Sequence, residues 1–137
     1  MSKKAHTISR KGLGSSFEAE EAKKSKLLLQ AQLLREQNQD EAASKFAQAA
    51  TIEENLGSVC EEKGLIEKSL IHKFSAASCW AQSGNFYQAI VLCTPLLKRN
   101  DLPSRLRSRI ENYINALRAK RTQWYEELVL EVANQDN

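Results

Sequence analysis

Apolar residues recur every three or four positions along most of the chain, a spacing that places them on one face of an α-helix. The first such interval predicts a helix over residues 18–37. Its apolar positions form a broad surface, with Ala22, Leu29 and Leu33 on one face and Leu27, Ala31 and Leu34 alongside. Because the three consecutive leucines at 27–29 cannot share one stripe, this helix is predicted to pack on two sides.

A second helix is predicted to begin at Asn38. An Asn at the N-cap accepts a hydrogen bond from a free backbone N–H, and Glu41 three residues later completes a capping box. Gly64 is predicted to end this helix, because glycine adopts the left-handed conformation that closes many helices. The apolar face between them comprises Ala42, Phe46, Ala49, Ile52, Leu56 and Val59.

A third helix is predicted from Leu65 to Ser83, closed by Gly84, and Asn85 starts a fourth. The signal at Asn85 repeats the one at Asn38, 47 residues earlier. The apolar face after each Asn also repeats, because Ala89, Cys93 and Leu96 follow where Ala42, Phe46 and Ala49 stood. An internal repeat of this length favours stacked helical hairpins.

The last predicted helix starts near the polar cap and first-turn proline of Asp101–Ser104. Its apolar stripe covers roughly 30 residues, which is long for a globular helix, and comprises Leu106, Ile110, Tyr113, Leu117, Trp124 and Leu128. The helix is therefore expected either to break near Thr122 or to project beyond the bundle. A projecting end that carries Trp124, Tyr125 and Leu128 is a candidate partner-binding surface.

The third and fourth helices carry the order small residue, aromatic, turn glycine, aromatic and small residue. Ala77, Trp80, Gly84, Phe86 and Ala89 fill these places. This pattern resembles the tetratricopeptide repeat, and about two divergent repeats cover residues 18–100. In the earlier copy, over residues 26–50, Gln37 stands at the place of the turn glycine. Other small helical bundles, including microtubule-interacting-and-trafficking-type domains, are similar over a single hairpin.

The resemblance implies a non-catalytic scaffold with a groove lined by the first helix of each hairpin. Lys24 is one of the groove positions that it implies, and the others, which are the candidate partner-binding residues, carry mostly apolar side chains: Leu27, Ala31, Leu34, Ile71, Phe74 and Ser78. Apolar lining does not suit recognition of a terminal carboxylate. An alternative is that the last helix covers these residues, so that they belong to the core.

Composition supports an all-α fold of about five helices, because strong helix formers dominate and the 137 residues include only two prolines and five glycines. The length fits one domain, predicted over residues 17–134, between a flexible basic tail at 1–16 and a polar tail at 135–137. Three cysteines without paired spacing suit reduced, buried thiols. No apolar run suggests a signal peptide or a membrane span, so a cytoplasmic location is expected.

Charge is unevenly distributed along the sequence. The net charge is +4 over residues 1–16, −3 over 17–97, +6 over 98–121 and −4 over 122–137. Such blocks either neutralise one another within the fold or bind a polyanion. Candidate polyanion-binding residues lie in the third block: Arg105, Arg107, Arg109, Arg118, Lys120 and Arg121.

Motifs for catalysis are not found in the sequence, which has no Gly-rich phosphate loop, no paired metal-binding histidines and no nucleophile elbow. His6 lies in the basic tail, and His72 is interpreted as an ordinary surface or core residue. We therefore predict no enzyme activity, no cofactor and no metal. The function expected is binding of a protein or peptide, or of a second copy of the chain. Nucleic-acid binding through the basic segment is the alternative.

Overall fold

Within residues 13–135, five α-helices form from the strong helix formers that dominate the chain. The computed structural model describes residues 13–135, and these residues contain no strand. In chain order the helices are α1 (Gly14–Glu36), α2 (Glu41–Glu62), α3 (Ile66–Gln82), α4 (Phe86–Leu97) and α5 (Ser104–Gln135). The predicted all-α fold with a long last helix is confirmed, and α5 does not break at Thr122.

The first three helices end in the same kind of turn. Asn38, Gly64 and Gly84 adopt left-handed φ values of 57°, 79° and 93°. After each of them, the next backbone N–H donates to a carbonyl five residues back, at 2.8–2.9 Å. Asn is one of the few residues other than Gly that tolerate this conformation. The prediction of Asn38 as an N-cap was therefore wrong, since it closes α1 instead, and Asp40 precedes α2 without a side-chain cap.

Each helix packs mainly against the next helix in the sequence, from α1 on α2 to α4 on α5. The tight turns make α1 to α4 run alternately up and down. The 47-residue repeat is visible in the packing, because both sets of equivalent positions are buried. These are Ala42, Phe46 and Ala49 on α2, and Ala89, Cys93 and Leu96 on α4.

The helices α2 and α3 approach closely at Gly57, in the C-terminal half of α2. The Ser69 hydroxyl of α3 donates a hydrogen bond to the Gly57 carbonyl oxygen at 2.7 Å. A Cβ atom at position 57 would lie 3.1 Å from Cγ of Lys73, so the absence of a side chain permits this contact. Among the helix pairs of residues 13–135, α2 and α3 form the largest contact.

The first helix differs from its prediction in two respects. It begins at Gly14, and Leu13 and Phe17 are buried, so residues 14–16 belong to the helix and not to a tail. The remainder of the predicted tail, residues 1–12, lies outside the described residues, as do 136–137. The predicted face of Ala22, Leu29 and Leu33 is exposed, whereas the neighbouring face is buried against α2.

Candidate interaction surface

The helix α5 has two halves with different surroundings. In the first half, Leu106, Ile110, Ile114 and Leu117 are buried in a core shared with α3 and α4. In the second half, residues 118–135, every residue is exposed. We call this second segment the projecting half. It extends past the body of the protein as a helix that no other described residue covers.

The apolar stripe of α5 continues from the buried half into the projecting half. Trp124 follows Leu117 after two helical turns, and Leu128 and Val132 follow at steps of four residues, which keeps them on nearly the same face. Tyr125 and Val129 widen the stripe on one side. Trp124, Tyr125 and Leu128 are 56%, 63% and 41% exposed. A stripe that is core in one half is therefore open to solvent in the other.

Two of the six candidate polyanion-binding residues make contacts within the protein. The guanidinium of Arg107 donates hydrogen bonds to the carbonyl oxygens of Leu97 at 2.5 Å and Arg99 at 2.9 Å, and so caps the end of α4. The guanidinium of Arg109 lies 5.7 Å from the ring centre of Phe74. The other four are exposed and form no ion pair among residues 13–135: Arg105, Arg118, Lys120 and Arg121.

The six predicted groove residues do not form one open surface. Leu27 and Ala31 are buried against α2, so the structure places them in the core and not on an open groove. The physical reason is that α1 turns this face, and not the face of Leu29, towards α2. Leu34 is half-buried against the same cluster.

The groove residues on α3 have three different surroundings. Phe74 packs edge-to-face against Tyr113 of α5, with ring centres 5.4 Å apart, so α5 covers this part of α3. Ser78 is half-buried, and Ile71 is exposed at the rim of a 420 Å³ cleft between α3 and the start of α5. The structure thus brings α3 and α5 together here but leaves Ile71 accessible.

A second cleft lies at the base of the projecting half. Its volume is about 500 Å³, and it separates the end of α1 from α5. The Arg35 side chain of α1 donates a hydrogen bond to Gln82 at 3.0 Å on one side of this cleft. Leu117 and Lys120 of α5 line the other side, and Phe86 lies between them. The cleft adjoins the point where the apolar stripe leaves the body.

A buried polar network joins α1, α2 and α3. Glu53 and His72 are only 4% and 7% exposed, and Nδ1 of His72 lies 2.7 Å from Oε1 of Glu53. Nζ of Lys24 lies 3.5 Å from the other Glu53 oxygen, and Oε2 of Glu21 lies 3.9 Å from Nε2 of His72. The ring of Phe17 packs edge-on against the imidazole at 5.7 Å.

Sequence reasoning did not find this network, although a signal was present. Glu53 lies on the buried stripe of α2 between Ala49 and Leu56, and His72 lies on the buried stripe of α3 between Ser69 and Ala76. A polar residue that interrupts an apolar stripe requires a partner. The two clefts described above are lined by other residues, and the network connects α1, α2 and α3.

Burial raises the pKa of all three thiols. Desolvation raises the pKa of Cys79 and of Cys93 from 9.0 to about 11, and it also raises the pKa of Cys60. Such thiols are poor nucleophiles because the thiolate is the reactive form. All three are free cysteines in the core, which agrees with their predicted role as small apolar residues.

We expect the free energy of unfolding to fall as pH rises from 9 to 11. In this window the thiols ionise in the unfolded chain but stay protonated in the fold, so the unfolded state holds fewer protons. Each thiol then lowers stability by up to about 1.4 kcal/mol per pH unit, with no effect well below pH 9. Urea unfolding at pH 8, 9, 10 and 11 measures the slope. A Cys79→Ala/Cys93→Ala variant should show a shallower slope, and an unchanged slope would contradict this assignment.

These observations define an all-α chain of sequentially packed helices whose last helix carries an uncovered apolar face. Comparisons with protein-family models, curated proteins and solved structures found no match to this chain. Within residues 13–135, no helix is long and apolar enough to cross a membrane. The same residues contain no cluster of three or more His, Cys, Asp or Glu side chains suited to a metal ion.

Proposed function

We propose that this protein is a non-catalytic protein-interaction module, an adaptor or assembly subunit, which binds its partner through the projecting half of α5. The observation that carries the proposal is the apolar stripe of Trp124, Leu128 and Val132 on the projecting half of α5, where every residue is exposed. Large exposed apolar patches on a protein surface mark interaction sites. Aromatic residues such as Trp124 and Tyr125 are also enriched among the residues that dominate binding energy.

We also propose that the chain belongs to the tetratricopeptide-like superfamily of helical hairpins. Three helix ends with the same left-handed turn, and a 47-residue repeat of buried positions, support it. In such stacks, each helix covers an apolar face of its neighbour, and the terminal helix needs a cap or a partner. Since α5 is the last described helix, its open stripe lies where a following helix would pack.

Nucleic-acid binding has weaker support from the same helix. Arg107 and Arg109 have partners within the protein, and the four remaining basic residues lie on more than one side of α5, because Arg118 and Lys120 are 200° apart at 100° per residue. A polyanion groove normally presents its basic residues as one continuous strip. We therefore treat nucleic acid as an outcome that the test must distinguish.

A capture experiment with the immobilised full chain tests the proposed function. We expect the wild-type chain to retain discrete proteins from a lysate after high salt and nuclease treatment. A Trp124→Asp/Leu128→Asp variant should lose at least about nine-tenths of the retained protein, because two desolvated anchor residues contribute several kcal/mol of binding free energy. Both residues are exposed, so the body should stay folded, which circular dichroism checks.

The matched control is Tyr87→Asp, which places the same charge on an exposed aromatic position of α4. This variant should retain the same proteins as the wild type. Equal capture by all three chains would refute the proposed function, and so would a wild-type chain that captures no protein and does not self-associate. Recovery of nucleic acid alone, abolished by Arg118→Glu/Arg121→Glu and by salt, would establish the alternative.

A further inference from the structure

The charged residues of the projecting half are sorted along the helix. Its first turn holds three basic side chains and the following segment three acidic ones: Arg118, Lys120 and Arg121, then Glu126, Glu127 and Glu131. None of the six pairs with another of them among the ion pairs of residues 13–135. The sorted charges therefore have no ionic partner within the part of the chain that the structure describes, where Glu127 accepts one hydrogen bond, from Gln123 at 3.3 Å.

This order does not serve the helix itself. The macrodipole of a helix favours basic side chains near its end, yet the last turn of α5 contains no basic residue and Glu131 lies just before it. Pairs within a helix are also more favourable when the acidic residue precedes the basic one. Here the basic residues come first. The arrangement points to a partner that lies alongside the helix.

We propose that the partner is a second copy of this chain, whose projecting half packs antiparallel against the first. This inference rests on the proposed function and names its partner. A pairing centred between Trp124 and Tyr125 brings Arg118 to the level of Glu131 of the other copy, and it brings Arg121 to the level of Leu128, one residue from Glu127. The two-fold symmetry repeats each contact. The basic segment of each copy thus faces the acidic segment of its partner.

The apolar stripe fits the same arrangement. With this centre, Trp124 of one copy lies against Tyr125 of the other, and Val132 reaches the level of Leu117, where the stripe leaves the body. The open stripe of one copy therefore covers the open stripe of the other. A parallel pairing would oppose basic to basic and acidic to acidic segments, which disfavours it, as charged flanking residues select orientation in coiled coils.

Sedimentation equilibrium of the purified full chain over a concentration series tests the proposal. We expect the wild type to dimerise. Arg118→Glu/Arg121→Glu makes the projecting half wholly acidic apart from Lys120, and Glu127→Lys/Glu131→Lys makes it basic apart from Glu126. Each variant alone should dimerise at least about tenfold more weakly, because attraction becomes repulsion at both symmetry-related ends.

An equimolar mixture of the two variants should form a dimer at the concentration at which the wild type dimerises, or at a lower one. Recovery by mixing separates a specific pairing from a loss of folding, since a misfolded chain is not rescued by another. Lys23→Glu/Lys26→Glu, which makes the same charge change at exposed positions of α1, should leave the dimer unchanged.

Three results would overturn the second copy as partner. The first is a chain that stays monomeric at all concentrations up to about 100 μM, about 100 times a micromolar dissociation constant. The second is a dimer that neither charge exchange weakens. The third is association abolished by Leu29→Asp/Leu33→Asp on α1 instead, which would indicate head-to-tail stacking. A monomer that still captures proteins through Trp124 and Leu128 refutes only this inference, whereas a monomer that captures no protein refutes the proposed function as well.

Discussion

Replacing Glu53 with alanine is expected to lower the free energy of unfolding by about 3–5 kcal/mol, the usual cost of removing one partner from a buried ion pair. The carboxylate lies 2.7 Å from Nδ1 of His72 and 3.5 Å from Nζ of Lys24. Its removal leaves a buried imidazole and a largely buried ammonium group without their acceptor, and it also opens a small cavity between α1, α2 and α3. Urea denaturation followed by circular dichroism at pH 7 measures the loss.

The control for this prediction is Glu62→Ala on the same helix. Glu62 is exposed, so its replacement should change stability by no more than about 0.5 kcal/mol. Glu53→Gln should fall between the two, because the amide oxygen still accepts a hydrogen bond from His72 while the charge beside Lys24 is lost. Equal stabilities of the Glu53→Ala and Glu62→Ala variants would contradict a structural role for the network.

The second large effect is expected for Leu70→Ala, which should lower the free energy of unfolding by about 2–5 kcal/mol. Leu70 of α3 is fully buried in the core that also holds Ile110 of α5 and Cys93 of α4. The loss combines the transfer energy of the removed carbons with the cavity left among three helices. Because this core attaches α5 to the body, the same variant should also loosen the base of the projecting half.

Leu130→Ala makes the same substitution on α5, where the side chain is 63% exposed. Leu130 lies on the side of α5 opposite to the apolar stripe, so neither burial nor the proposed pairing involves it. Its expected effect is below about 0.5 kcal/mol. A Leu70→Ala variant as stable as Leu130→Ala would contradict the position of Leu70 in the core.

Sequence periodicity predicted the number, order and approximate limits of the helices, because strong helix formers and left-handed turn residues act locally. The turns at Gly64 and Gly84 were recognisable for the same reason. At Asn38 the local signal was ambiguous, since Asn is favoured both as an N-cap and in a left-handed turn. Only the backbone hydrogen bonds around Asn38 decide between the two roles.

The buried face of α1 could not be predicted from periodicity alone. Residues 27–29 are all leucine, so one helix offers two apolar faces, and the position of α2 decides that Leu27 is buried and Leu29 is exposed. The basic segment was ambiguous in the same way. Arg107 belongs to the structural capping of α4 because the turn between α4 and α5 brings its guanidinium to free carbonyl oxygens, which no spacing along α5 reveals.

The candidate surface was predictable in outline. The length of the stripe indicated either a break or a projecting end, and the structure has a continuous helix through Gln135. Trp124, Tyr125 and Leu128 were identified as candidates for this reason. The sequence signalled that Glu53 and His72 need polar partners but not which ones, because the network depends on three helices that converge from positions as far apart in sequence as Glu21 and His72.

The sequential packing of the helices has a consequence for the folding of the chain. Because the contacts mainly join helices adjacent in sequence, little loop-closure entropy is lost before contacts form, and such low-contact-order topologies fold rapidly. Stability is then approximately a sum of neighbouring interfaces. The outer part of α5 can consequently lose and regain its helical structure while α1, α2 and α3 stay folded, so hydrogen exchange should proceed fastest at its end and slowest around Gly57.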